Sequence, residues 1–317
     1  GSEAVDLGQT PGDIVVISAA DTELSLIAQA RAEHPADGFP SLRLANLMHL
    51  GHNMSVDLYV ENVIADAKLV VLRLLGGQGY WPYGCDQVAQ VCAANKIPVA
   101  FLPGDDQPDA ELADLSTLDA DAQHRLWQYL VHGGPENALD FVNYAADLIG
   151  YDCEWQEPRP LVRAGLHWPG AANTDLARVQ SNWVEGRPVA ALVFYRALVQ
   201  SGNLWAVEAV IEGLATAGLN PLPVFVASLK DPIAAATLET LLADAPPAVI
   251  INATGFAVSA PGQDRTRGPF DCGGDDGGPV VLQMVFSGGN EEDWRTGTRG
   301  LGARDISMNV ALPGVDG

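Results

Sequence analysis

Two continuous apolar runs that break abruptly into small polar residues constrain the fold of this chain most. One is VFYRALVQSGN, Val193 to Asn203, and the other is IINATGFAVS, Ile250 to Ser259. A strand that is buried on both faces and delivers a binding loop at its carboxyl end has this pattern in parallel sheets. The loop side chains are Arg, Gln, Ser, Asn and Thr, which suit hydrogen bonding to an anionic or carbonyl-rich ligand.

The rest of the chain alternates strand and helix patterns. Strands are predicted at 13–18, 42–47, 68–75, 97–102, 188–195, 222–226, 248–252 and 278–286; helices are predicted at 20–33, 55–67, 86–95, 119–131, 135–148, 204–217 and 234–243, with another opening at 291–294. Asp21 or Thr22 is expected to cap the first helix and Ser55 the second. This alternation predicts an α/β fold with mostly parallel sheets and right-handed crossovers.

The domain organisation follows from the same pattern. We expect two Rossmann-like lobes, of the flavodoxin or periplasmic-binding type, with a helical insertion. The first lobe spans 1–152 and ends in helices, a linker with a short helix spans 153–187, and the second lobe spans 188–317 and is truncated at its C-terminus. The segment 260–278 is rich in Gly and Asp and is expected to be a loop.

Composition excludes several classes of protein. The 317 residues are 48% hydrophobic and 18% charged, which predicts a packed core. The net charge of −23 disfavours nucleic acid and anionic membrane surfaces as partners. The four cysteines form no C-x-x-C, and Cys85 and Cys92 share a predicted helix face, so we expect core packing and a cytoplasmic location. The sequence shows neither a membrane span nor a Walker or G-x-G-x-x-G nucleotide motif.

The carboxyl ends of the predicted strands select the candidate site residues. Arg196 suits a carboxylate, although it could equally pair with an acidic side chain. Gln200, Ser201 and Asn203 follow it; the alternative is that they only cap the next helix, the role that suits Asn203 best. Asn252, Thr254, Gly255 and Phe256 form the second loop, where Gly255 either permits close approach of a ligand or simply makes the turn.

Two further clusters carry weaker signals. Tyr80, Trp81 and Tyr83 lie in the Gly-rich loop 76–84, where they form either a stacking wall for a flat ring system or a hydrophobic plug. His49 and His52 flank Gly51 and are the candidate metal ligands, with polar packing in a loop as the alternative. No metal site is otherwise expected, and the sequence assigns no catalytic residue.

Several long segments resemble the CobN/magnesium chelatase large-subunit family, and most closely the N-terminal portion of its aerobic cobaltochelatase members. They are SVDLYVE from Ser55, LVVLRLLGG from Leu69, YWPYG from Tyr80, PGDD from Pro103, LWQYLVHGGPEN from Leu126, VFYRALVQSGN from Val193, NPLPVFVASLKDP from Asn220, NATGFAVS from Asn252 and MVFSGG from Met284. The magnesium branch shares a looser pattern and lacks a close equivalent of YWPYG. The family usually carries Glu where this chain has Gly314.

The resemblance implies a function as part of a larger enzyme. The complex would insert cobalt(II) into hydrogenobyrinic acid a,c-diamide during cobalamin biosynthesis, with ATP hydrolysed on two AAA+-type partner subunits and not on this chain. The isolated chain is expected to be inactive and to contact the corrinoid through Arg196, Asn203, Thr254 and the Tyr80–Tyr83 cluster. The alternatives are a docking module without substrate contact, a magnesium chelatase large-subunit homologue, or a periplasmic-type sugar or amino-acid binder.

Overall fold

The chain folds into two compact units, Gly1–Leu161 and Val162–Gly317, in a computed structural model. The structure describes residues 4–171, 174–255, 270, 278–289, 291–297 and 300–307. Phe256, Gly314, Cys272 and most of the loop predicted at 260–278 lie outside these residues. Residues 164–166 fall in the range assigned above to a linker, and in the structure they form an edge strand of the second unit's sheet.

The first unit is built on a four-stranded parallel sheet. Its elements are β1 Ile14–Ser18, α1 Asp21–Ala32, β2 Leu42–Asn46, α2 Asn53–Asn62, β3 Leu69–Leu74, α3 Pro82–Asn95, β4 Val99–Pro103, α4 Ala110–Leu115, α5 Ala120–His132 and α6 Gly134–Leu148. The strand order is β2-β1-β3-β4, and every pairing is parallel. All four carboxyl ends therefore lie along one edge.

Alternation along the strands divides the core of this unit into two layers. Val15 and Ile17 pack with α2 and α3 on one face of the sheet. Ile14 and Val16 point to the other face and pack with α1, α5 and α6. Because both faces are covered by helices, the strands carry apolar residues on both faces, which is why β1 and β3 read as nearly continuous apolar runs in the sequence.

The second unit repeats this topology. Its elements are β5 Ala164–Leu166, α7 Leu176–Gln180, β6 Val189–Tyr195, α8 Arg196–Ser201, α9 Trp205–Thr216, β7 Asn220–Val226, α10 Pro232–Asp244, β8 Val249–Asn252, β9 Val280–Gln283, α11 Glu291–Thr296 and α12 Ala303–Ile306. The sheet order is β5-β7-β6-β8-β9, with β5 antiparallel and the other pairings parallel. The four parallel strands thus follow the same order, 2-1-3-4, as those of the first unit.

The predicted α/β class is confirmed, but several local predictions are wrong. The segment 196–201, expected to be loop, forms α8, and α4 was not predicted. Ser55 does not cap α2, because this helix begins two residues earlier and the Nδ1 atom of His52 accepts from the N–H of Met54 at 3.1 Å. The Ser55 hydroxyl instead accepts from the N–H of Val5 at 2.8 Å. The cap of α1 is Ala20 rather than Asp21 or Thr22.

Candidate functional site

Three adjacent strand ends of the second unit bring polar side chains together. Strand β8 lies between β6 and β9, and in this register Asn252 pairs with both Val193 and Gln283. The hydroxyl of Tyr195, at the end of β6, accepts a hydrogen bond from the N–H of Gly255 at 3.0 Å. The carboxyl edge of the sheet therefore holds residues 253–255, which directly follow β8, in place.

The Asn252–Gln283 network, formed by Asn252, Thr254 and Gln283, is a closed set of hydrogen bonds. The Oδ1 atom of Asn252 accepts from the Thr254 backbone N–H at 3.0 Å and from its hydroxyl at 2.6 Å. The Asn252 amide donates to Oε1 of Gln283 at 3.1 Å, and the Gln283 amide donates to the Thr254 carbonyl at 2.8 Å. Thr254 is only 2% exposed. These side chains hold the backbone of residues 252–255 in one conformation, because buried polar groups that are satisfied by each other resist rearrangement.

Gln283 was not identified from the sequence. It lies in a short apolar strand, VVLQ, and its relation to Asn252 arises from the parallel pairing of β8 with β9. A polar residue at the end of an apolar strand was the available signal, the same one that selected Asn252.

Arg196, Gln200 and Ser201 were predicted to lie in a loop, but in the structure they belong to helix α8. Arg196 is its first residue, directly after β6, and Gln200 follows one turn later on the same helix face. Both side chains are half-buried. The Ser201 hydroxyl donates to the Leu198 carbonyl at 3.3 Å, and Asn203 is exposed. Asn203 does not cap α9, since the cap position belongs to Leu204.

The aromatic cluster predicted at Tyr80, Trp81 and Tyr83 belongs to the first unit, and its rings play different roles. Trp81 is buried, at 6% exposure, and its indole N–H donates to the Leu50 carbonyl at 2.9 Å. A Cβ atom on Gly84 would lie 2.0 Å from the Trp81 ring, so the indole packs directly on the glycine in α3. Trp81 thus fills the core, as the hydrophobic-plug interpretation expects.

Tyr80 and Tyr83 face a groove beside this plug. Tyr80 is 53% exposed, and its hydroxyl lies 3.6 Å from the sulfur of Met48. The Tyr83 hydroxyl donates to Asp57 at 2.7 Å, and this hydrogen bond raises the pKa of Tyr83 above its ordinary value. The groove has a volume of about 330 Å³ and is lined by these two rings, the edge of Trp81, Met48 and neighbouring residues.

A charged network at the sheet edge of the first unit was missed by the sequence analysis. Arg73, near the end of β3, forms an ion pair with Glu23 of α1, and the two side chains are 11% and 13% exposed. The same guanidinium donates to the carbonyls of Pro103 and Gly104 at 3.3 and 3.2 Å. Glu23 also accepts from the Ser18 hydroxyl at 2.7 Å. The signal was an arginine inside the otherwise apolar run KLVVLRLL.

The two candidate metal ligands, His49 and His52, lie in the first unit. His52 uses Nδ1 to cap α2, and His49 is exposed in the short 3-10 turn Leu47–Leu50. Burial raises the pKa values of Cys85 and Cys92 to about 12, so both are neutral thiols packed in the core at neutral pH. Among the residues that the structure describes, no three His, Cys, Asp or Glu side chains are grouped closely enough to hold a metal ion.

One parallel and one mixed sheet form the framework of the two units, and the sequence points to the family of this chain. The model of the CobN/Magnesium Chelatase family matches residues 127–317, and the chain belongs to that family. None of the helices in the described ranges has the length and apolarity that crossing a bilayer requires.

Within this family, the chain is more similar to cobaltochelatase subunits than to a magnesium-chelatase subunit. The chain is 48% identical to the aerobic cobaltochelatase subunit CobN of Sinorhizobium sp, over 100% of this chain and 25% of the relative. It is 43% identical to CobN of Pseudomonas aeruginosa, over 98% of this chain and 24% of that protein. The chloroplastic magnesium-chelatase subunit ChlH of rice is 28% identical over 68% of this chain and 16% of that protein. The chain therefore spans about a quarter of the length of its CobN relatives.

A solved structure has the same fold as this chain. The catalytic subunit of cobaltochelatase from Mycobacterium tuberculosis superposes with a TM-score of 0.68 over 95% of this chain and 23% of that one, at 24% sequence identity. At this identity the likeness demonstrates a common fold.

Proposed function

We propose that this chain is part of the porphyrinoid-binding subunit of an ATP-dependent cobaltochelatase. The complex inserts cobalt(II) into hydrogenobyrinic acid a,c-diamide during cobalamin biosynthesis, in the cytoplasm. The observation that carries this proposal is the identity of 48% and 43% with two CobN subunits over nearly the whole chain. The 28% identity with a magnesium-chelatase subunit extends over only 68% of the chain, so the cobalt reaction is favoured over the magnesium one.

Insertion of cobalt into the corrinoid ring has three chemical requirements, which such a subunit and its partners would meet together. Two ring N–H protons have to leave, cobalt has to lose water ligands, and the macrocycle has to distort. ATP hydrolysis on two AAA+-type partner subunits would supply the energy. This chain would contribute rigid contacts to the ring and its carboxylate side chains, and the proton acceptor would come from elsewhere in the enzyme.

The strongest contact of this kind is expected from Arg196. A guanidinium at the first turn of α8 is suited to a bidentate hydrogen bond with a carboxylate of the corrinoid. Gln200, Ser201 and Asn203 offer neutral donors nearby, and the Asn252–Gln283 network presents the Thr254–Gly255 backbone beside them. Phe256 follows this backbone in the sequence. In the first unit, Tyr80 and Tyr83 offer rings on which a flat macrocycle could stack.

Titration of the chain with hydrogenobyrinic acid a,c-diamide, followed by corrinoid absorbance, tests the proposal. We expect saturable binding that Arg196→Ala weakens roughly 10- to 100-fold, since a hydrogen bond to a charged group contributes about 1.5–3 kcal/mol. The matched control is Arg178→Ala, an exposed arginine in α7 of the same unit. Tyr80→Ala is expected to weaken binding about 2- to 10-fold, and Tyr80→Phe to preserve it.

If titration with the wild-type chain does not change the corrinoid absorbance, the substrate-binding role is contradicted. Equal affinities for Arg196→Ala and Arg178→Ala would remove Arg196 from the site. Retention of the two partner subunits by a chain that gives no corrinoid signal would instead favour the docking-module alternative.

We also propose that both units are Rossmann-like lobes. The shared parallel order 2-1-3-4 supports this proposal, because it is the order of the first four strands in flavodoxin-like sheets. In such sheets, ligands bind beyond the carboxyl ends of the strands, where Arg196 and Thr254 lie.

A further inference from the structure

Helix α9 of the second unit is apolar along most of its length but lies largely outside the core. Its sequence is WAVEAVIEGLAT, and among its residues the structure buries Val207 and Ile211. Trp205 is 74% exposed, although an indole is among the side chains that gain most from burial. An apolar helix face of this kind on a folded domain is typical of an interaction surface.

A groove runs along this face of α9. It has a volume of about 560 Å³ and lies between α9 and the segments 168–169, 182–187 and 219–221. Trp168 lines it opposite the helix, and Trp205, Glu208, Glu212 and Ala215 line it along the helix, at the i, i+3, i+7 and i+10 positions of one face. The α9 groove, as defined by these residues, is large enough to take a set of protruding side chains.

Hydrogen bonds hold the floor of the α9 groove in place. The buried Asn220 amide donates to the carbonyls of Val184 and Arg187 at 2.9 and 3.1 Å, and its Oδ1 atom accepts from the N–H of Val184 at 2.9 Å. The Trp183 indole donates to the Pro221 carbonyl at 2.8 Å. Because these bonds tie the 182–187 segment to the start of β7, the groove is formed before any ligand arrives.

The charges that face the α9 groove favour a cation. Glu208 and Glu212 lie one turn apart on its helical wall, and the whole chain has a net charge of −23. His167 contacts Glu208 at 3.2 Å, and burial lowers the pKa of this histidine, so the imidazole is neutral at neutral pH and does not cancel the carboxylate. The Arg187 guanidinium donates to the Ala215 carbonyl at 3.1 Å, where it stabilises the end of the helix.

We infer that the α9 groove is a docking site for an arginine-bearing amphipathic helix of a partner protein. Apolar side chains of that helix pack against Trp205 and Trp168. Its arginines stack on the exposed indole and form forked hydrogen bonds with Glu208 or Glu212. Lysine also supplies a positive charge, but its ammonium group lacks the planar face and the two parallel N–H donors of a guanidinium.

The test uses two labelled alanine-based helical peptides and fluorescence anisotropy at physiological salt. One peptide carries leucine and arginine on one face, and the other carries citrulline, a neutral isostere, in place of each arginine. We expect saturable binding of the arginine peptide alone. Trp205→Ala and Glu212→Gln should each weaken it up to about 5-fold, the range expected for one cation–π contact or one exposed ion pair.

Two control variants of the same unit distinguish peptide binding at the α9 groove from nonspecific attraction of a cationic peptide to the acidic chain. Trp294→Ala removes another exposed tryptophan, and Glu239→Gln removes another exposed glutamate, on α11 and α10. Both should bind the arginine peptide as wild type does. Equal binding of the two peptides, equal affinities of the groove and control variants, or no saturable binding would overturn the inference. Self-association of the chain that Trp205→Ala abolishes, measured by sedimentation, would identify a second copy as the occupant and would also overturn it.

Discussion

The contact between Gly84 and Trp81 yields the sharpest stability prediction. In Gly84→Ala the new methyl group would lie 2.0 Å from the indole, so the ring has to move by roughly 1.5 Å to reach the ~3.5 Å at which carbon atoms attract. Overpacking of this kind costs about 1–3 kcal/mol. Displacement of the ring also weakens the hydrogen bond to Leu50, at a cost of about 1 kcal/mol.

Helix propensity opposes these costs. Alanine is favoured over glycine inside a helix by up to about 1 kcal/mol, and Gly84 lies in α3. The net expectation is a loss of about 2 kcal/mol in the free energy of unfolding of the first unit. With a urea dependence of ~2 kcal/mol per molar, the unfolding midpoint should fall by about 1 M.

Urea unfolding followed by circular dichroism measures this effect. Gly213→Ala is the matched control, because Gly213 is also helical, in α9, and a Cβ atom there would meet open space. The control should gain about 0.5–1 kcal/mol from propensity alone. If Gly84→Ala stabilises the chain as much as the control does, Trp81 is not packed on Gly84, and its ring is available in the neighbouring groove.

Three further outcomes are expected. Arg73→Met should lower the free energy of unfolding in urea by up to about 3 kcal/mol, because the largely buried Glu23 loses its charged partner, and the double variant Arg73→Met with Glu23→Met should recover much of this loss. Backbone hydrogen bonds at the start of α10 lower the pKa of Asp231 below its ordinary value. The stability that this carboxylate contributes is therefore present above the ordinary pKa and is lost as the pH falls through the lowered pKa. The thermal unfolding midpoints of wild type and Asp231→Asn should converge as the pH is lowered through this range. Iodoacetamide should label Cys153 in the folded chain at pH 8 before Cys85, as peptide mass spectrometry can show.

The sheet framework could be predicted from the sequence because it follows from local patterns. Parallel strands with helices on both faces are apolar along most of their length, as in β1 and β3, and turn residues mark where each strand ends. Helix α8 was not predicted, because it follows β6 without a capping side chain: its N-cap residue is Tyr195. Capping residues are the main sequence signal for the start of a short helix.

Side-chain roles at the candidate site were harder to predict because they depend on non-local contacts. The sequence places Tyr80, Trp81 and Tyr83 in one loop but does not tell which ring turns inward. That choice depends on the close approach of Trp81 to Gly84 and on the Leu50 carbonyl, which belongs to another segment. The arginine at position 73 was likewise read as part of a strand, and its partner Glu23 lies fifty residues away.

Three polar side chains at the sheet edge of the second unit are joined to one another by hydrogen bonds. Asn252, Thr254 and Gln283 bond to one another, and a ligand contact that broke the buried hydrogen bond between Asn252 and Thr254 would cost about 1–3 kcal/mol. Their physical effect is to fix the backbone of the loop. Arg196 has a different position, since it starts a helix at the end of the neighbouring strand and carries a long, charged side chain. If a carboxylate-bearing ligand binds at this edge, its affinity should depend on Arg196 directly and on the Asn252–Gln283 network only through the geometry of the loop.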